Sequence, residues 1–173
     1  LAGPEPPPIR PVPTGAAPEA RKRTGVLLTE EDLSPGFPLQ QMPEPAVAHA
    51  TLVSVGGRSP SDPAAHVSDF SGRAVQDARS RWADRLGARG TDADSPESVA
   101  EWAETERLEQ VATAYAPVGP AAEALDRLGR ELQRRGIRLV RVPREEDLAA
   151  WQHATQGFFR VRKHIPELLE QLG

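Results

Sequence analysis

Apolar residues follow two rhythms along this chain. The first is the short continuous run: Val26-Leu-Leu-Thr29, Ala50-Thr-Leu-Val-Ser-Val55, Val111-Ala-Thr-Ala-Tyr115 and Ile137-Arg-Leu-Val-Arg-Val142. Each is rich in β-branched residues or bounded by glycine or proline, and each predicts a strand. The second rhythm recurs every three or four residues. Val75, Ala78, Trp82 and Leu86 mark a helix over 71–86, and Val99, Trp102 and Ala103 mark one that ends near Glu106. Ala121, Ala122, Leu125, Leu128 and Leu132 mark a third helix over 120–135. A fourth stripe runs through Phe158, Val161, Ile165, Leu168, Leu169 and Leu172, with Pro166 expected to kink that helix or restart it.

Punctuation supports these elements. Ser95 stands where an N-cap belongs, and Pro96 occupies the first helical position, where its missing N–H costs nothing. Pro120 opens the third helix, Arg134 and Arg135 sit at its negative end, and Gly136 supplies a left-handed cap. Residues 34–48 and 58–69 read as loops. The stretch 110–142 is one β-α-β unit, whose strands must run parallel. The expected fold is therefore a three-layer α-β-α, Rossmann-like domain. Its sheet is mostly parallel, of four or five strands.

Composition divides the chain. Of its 18 prolines, 11 fall within the first 45 residues, so residues 1–23 read as an extended Pro-rich linker and 24–173 as the folded body. The chain begins with Leu, with no charged and apolar leader of the secretory kind, and reads as a piece of a longer protein. No apolar run approaches the about 20 residues that cross a bilayer. The expected setting is cytoplasmic. A net charge of −4 disfavours nucleic-acid binding by charge alone, and the absence of cysteine excludes disulfides, thiolate metal sites and a cysteine nucleophile.

Ligands of an open parallel sheet bind beyond the carboxyl ends of its strands. Those ends place Thr29, Gly56, Tyr115 and Gly119 as the candidate binding positions. The loop Ala116-Pro-Val-Gly-Pro120 opens a helix, whose free N–H groups favour an anion; Pro117 and Pro120 remove two donors, however, and no G-x-G-x-x-G or Walker pattern is present. Glu30-Glu31-Asp32 alternate in direction and read as a solvated turn rather than a metal site. His49, His66, His153 and His164 lack zinc-ligand spacing, and no G-x-S-x-G elbow occurs. Arg160, Arg162, Lys163 and His164 beside Phe158-Phe159 form a basic patch that could touch a phosphate backbone but reads rather as a contact face for another domain, because the rest of the body is acidic. No catalytic residue and no metal site is expected.

The order of these elements resembles the α/β domain of the DNA photolyase/cryptochrome family. Asp32-Leu33 follows the first strand where that family has an Asp-Leu pair. The run Val111-Ala-Thr-Ala-Tyr-Ala-Pro117, the helix to Arg135, Gly136 and Ile137-Arg-Leu-Val140 match its later strand, helix and strand. Trp151-Gln-His-Ala-Thr-Gln-Gly-Phe-Phe159 looks like the end of a bacterial photolyase-like subgroup, in which the α/β domain follows a helical flavin-binding domain. Glu30 and Glu31 stand where the family carries basic residues. The resemblance, over 24–172, implies a domain of a flavoprotein engaged in light-dependent DNA repair or photoreception. FAD would be held by the helical domain of the same parent, and DNA would be met only through that parent. This chain would itself be non-catalytic, structural or a holder of an accessory chromophore. The alternatives are a free-standing nucleotide-binding α/β protein with adenylate near Ala116–Gly119, and an interaction module working through Phe158, Phe159 and the basic cluster.

Overall fold

The computed structural model describes residues 13–33, 38–53, 63–154 and 157–172. Five strands build its sheet: β1 (Thr24–Thr29), β2 (Ala48–Leu52), β3 (Gly90–Ala93), β4 (Gln110–Ala114) and β5 (Arg138–Val142). They are ordered β3-β2-β1-β4-β5, and every pair is parallel. The helices are α1 (Ala65–Arg81), α2 (Ala83–Leu86), α3 (Pro96–Thr105), α4 (Pro120–Arg134), α5 (Glu145–Trp151) and α6 (Phe158–Leu172). The chain forms two compact units, Ala16–Val142 with the sheet and a smaller one that includes α5 and α6.

Side chains alternate across each strand, so β1 feeds two cores. Leu27 joins Ala50, Val111, Trp102, Leu125 and Leu128 on the face covered by α3 and α4. Val26 and Leu28 join Leu39, Met42, Leu86 and Ala112 on the opposite face. The connections from β1 through β3 travel one way across the sheet, and those from β3 through β5 travel the other. A single crossover hand demands that the two sets lie on opposite faces, which produces the three layers of a Rossmann-like fold. Among the described residues of the β1–β2 crossover the helical element is a 3-10 turn at Leu39–Gln41, and Leu39 and Met42 are buried beside it. Arg85 clamps this segment with bonds from its guanidinium to the carbonyls of Leu39 and Met42, 2.8 Å each.

The best-marked helix termini match their sequence signals. At α3 the Ser98 N–H donates to Ser95 Oγ and the Ser95 N–H donates to Ser98 Oγ, both at 3.2 Å. Ser95→Ala should lower the unfolding free energy by about 1 kcal/mol, measured by urea titration, because the Ser98 N–H loses its capping acceptor. At the end of α4, Gly136 adopts φ +70, its N–H donates to Gln133 O at 3.1 Å, and that of Ile137 donates to Leu132 O at 2.9 Å. Buried Ile137 covers Leu132, completing a Schellman stop.

Several boundaries differ from the reading of the sequence. The second strand is Ala48–Leu52 rather than 50–55, and Ser54 and Val55 lie outside the described residues. Helix α1 begins at Ala65, inside the expected loop 58–69. Its first two turns are almost wholly exposed, so they carry no apolar stripe to betray them. Trp82 separates α1 from α2 instead of continuing one helix. Strand β3 and helix α5 carry no apolar rhythm and are additions. Pro166 lies within α6. The end of the Pro-rich leader is pinned to the body: buried Gln110 donates to Glu19 O at 2.8 Å and to Thr24 Oγ1 at 2.7 Å, and Lys22 pairs with Glu109 at 2.9 Å.

Candidate functional site at the carboxyl edge of the sheet

The crevice of an open α/β sheet forms where successive connections leave neighbouring strands in opposite directions. Here those neighbours are β1 and β4. The chain leaves β1 toward β2 and leaves β4 toward β5. The crossing places two of the candidate positions, Thr29 and Tyr115, at adjacent strand ends. Leu27 pairs with Thr113 in the ladder, so each lies two residues beyond a paired position. Gly119 belongs to the same loop as Tyr115. Gly56 lies outside the described residues.

Local chemistry shapes this edge. Thr29 is 3% exposed, so its hydroxyl belongs to the core side of the rim. It bridges to Asp32, folding Glu30 and Glu31 into a tight turn. Tyr115 is half-buried, and its N–H donates to Val142 O at 2.9 Å, joining the β4 exit to the end of β5. Gly119 adopts φ +95, a value open to glycine and rarely to other residues, and immediately precedes Pro120. Helix α4 has no side-chain N-cap, and its first donation, from Glu123 N–H to Gly119 O, spans 3.1 Å. The rim thus combines the positive end of one helix dipole with a carboxylate-rich turn on the neighbouring strand. Among the described residues no group of three His, Cys, Asp or Glu side chains is placed to hold a metal ion.

A polar cluster of His49, Thr51, Arg79 and Asp92 lies at β2 and β3, away from the β1–β4 crevice. His49 is 7% exposed on β2. Arg79 of α1 donates from Nε to His49 Nε2 at 3.0 Å and from Nη1 to Asp92 Oδ1 at 2.8 Å. Thr51 donates to the same carboxylate oxygen at 2.7 Å. Burial, reinforced by the Arg79 charge, holds His49 below the ordinary histidine value, against the opposing bond to the Leu86 carbonyl. The period-two pattern His49-Ala-Thr51 is the only hint in the sequence that these polar residues share a face. Arg79 and Asp92 are too distant in the chain to be linked to them by spacing.

In the smaller unit, α5 and α6 enclose a groove of about 700 Å³ with apolar lining from Ala149, Val161, Ile165 and Leu168 and carboxylates from Glu145 and Glu146. Phe158 and Phe159 are 66% and 77% exposed, and their rings meet edge to face at 5.9 Å. His153 stacks on His164 at 3.9 Å, and His164 Nδ1 lies 3.1 Å from Glu167. Arg160, Arg162 and Lys163 are exposed beside the aromatic pair. No helix among the described residues is long and apolar enough to cross a membrane. No family model, curated protein or solved structure matches the chain.

Proposed function

We propose that this chain is the α/β domain of a photolyase/cryptochrome-like flavoprotein, without catalytic chemistry of its own. In the intact parent a helical domain holds FAD, and the reaction is light-driven electron transfer for DNA repair or photoreception. The α/β domain covers that flavin domain and holds an accessory chromophore at the crevice between β1 and β4. The observation that carries this reading is the parallel sheet with its switch point between β1 and β4, on a chain whose Asp32-Leu33, 111–140 and 151–159 segments resemble the family.

The edge chemistry favours an aromatic ligand over a nucleotide diphosphate. Pro117 and Pro120 withhold two backbone donors from the α4 loop. Glu30, Glu31 and Asp32 surround the neighbouring exit with negative charge, which opposes phosphate. Tyr115 offers a ring at the strand end, where a flat ligand can stack.

Visible absorption of the purified chain tests the assignment. The chain is expected to retain a visible band, or to acquire one bound stoichiometrically when incubated with riboflavin as a phosphate-free probe, and to show no photochemistry without its parent. A colourless chain that ignores riboflavin and gains thermal stability with AMP would transfer the assignment to a nucleotide-binding protein. A second reading, an interaction module, is favoured by the exposed Phe158-Phe159 pair and the open α5–α6 groove. It predicts a protein partner that is lost on Phe158→Ser with Phe159→Ser while the crevice ligand is kept.

A further inference from the structure

We propose that His49 is an acid-operated latch for edge strand β3, so that protonation of its ring releases β3 from β2 while the rest of the sheet stays paired. The bonding pattern sets the latch. A guanidinium only donates, so His49 Nε2, 3.0 Å from Arg79 Nε, must be the acceptor. The ring proton therefore sits on Nδ1 and donates to Leu86 O at 3.2 Å. An imidazolium has no acceptor left. Its new N–H would meet the Arg79 N–H head on, at a ring that is only 7% exposed, and Arg79 must leave.

Arg79 is also the arm that holds β3. Its Nη1 grips Asp92, the polar centre of a strand whose burial is otherwise slight: Gly90, Thr91 and Asp92 are exposed and Ala93 is half-buried. No apolar side chain of β3 reaches full burial, so its attachment rests on ladder bonds to β2 and on the Arg79–Asp92–Thr51 cluster. The fit is close. A Cβ on Gly90 would lie 2.5 Å from an Arg79 nitrogen and closer still to the His49 ring. The charged groups facing His49 are Arg79 from α1 and Asp92 from β3; the α2 side contributes the Leu86 carbonyl. The Leu86 and Gly87 carbonyls and Asp92 favour the proton, but burial and the Arg79 charge outweigh them, and Asp92 is already engaged by Arg79 and Thr51.

The direction of the pH effect follows from linkage. In the closed form His49 binds a proton less readily than the ordinary value of 6.5. With β3 open the ring meets water and recovers that value. Closure is therefore fully favoured above about pH 6.5 and is lost progressively as the pH falls below it. Hydrogen exchange, read by mass spectrometry on the whole chain at pH 7.5 and 5.0 and corrected for intrinsic rates, tests the latch. Protection across 89–93 is expected to fall at least tenfold at pH 5.0, with β1 and β4 amides unchanged. His49→Gln, which keeps an amide donor and acceptor but does not titrate, should abolish this pH dependence. Equal protection at both pH values, uniform loss over all strands, or the same acid response in the glutamine variant would each overturn the proposal. Should that variant misfold, an NMR titration of wild-type His49 replaces it. Coincidence of its midpoint with β3 opening supports the latch, and separate midpoints refute it.

Discussion

Replacing Leu128 by alanine is expected to lower the unfolding free energy by about 2–5 kcal/mol. Leu128 is 0% exposed at the centre of the α4 stripe, with Leu125 and Leu132, also 0% exposed, one turn away on either side. It belongs to the cluster that joins α4 to Trp102 of α3, Leu27 of β1 and Val111 of β4. Truncation removes three carbons from a region assembled from four elements. The sheet cannot move inward to fill the void, because β4 is paired on both sides. Arg127→Ala, one position away on the exposed face, should change stability by less than about 0.5 kcal/mol. Urea titrations of the two variants give the comparison. A Leu128→Ala midpoint no different from that of Arg127→Ala would remove α4 from the core.

Gly87→Ala should cost a similar amount, about 2–5 kcal/mol, for a different reason. Gly87 combines φ +75 with ψ 158, a region that glycine alone enters without strain. An added Cβ would stand 2.6 Å from Ala46 O and 2.9 Å from Val47 O. Both obstacles are backbone atoms, so no rotamer change relieves the clash. Either the α2–β3 link or the lead into β2 must shift, and the Ala46 N–H to Arg85 O bond of 2.8 Å joins the two. Gly72→Ala is the control. It lies inside α1 with nothing near its Cβ and should gain about 0.5–1 kcal/mol. Fluorescence separates the faces, since Trp82 packs against the Val26–Leu28 side and Trp102 belongs to the Leu27 side. The Gly87 variant should perturb Trp82 first.

The parts of the fold legible in the sequence are those where local signals agree. The span 110–142 combines two buried runs, a strong helical stripe, Pro120 at a helix start and Gly136 at its stop. Ser95-Pro96 marks α3 as clearly. Strand β3 was not legible because Gly90-Thr-Asp-Ala93 has neither apolar content nor alternation; it is a strand through its pairing with β2 and the grip of Arg79 on Asp92. Helix α5 buries no residue fully, so nothing in Glu145–Trp151 sets up a periodic face. The site was half legible. Strand ends named Thr29 and Tyr115, but only the sheet order, a property of pairing between distant segments, brings them side by side. The His49 cluster joins three elements, and beyond the alternation of His49 and Thr51 on β2 nothing along the chain ties Arg79 and Asp92 to it.

The central position of β1 has a kinetic consequence. Its pairing with β4 spans 86 residues at the Gln110–Thr24 contact, whereas β4, α4 and β5 lie within one short stretch. Closing so long a loop is slow compared with assembling a local β-α-β unit. During synthesis the strand that emerges first waits with one bare flank until Gln110–Ala114 has been made. In that interval Val26, Leu27 and Leu28 are the segment a chaperone or another nascent chain would find uncovered.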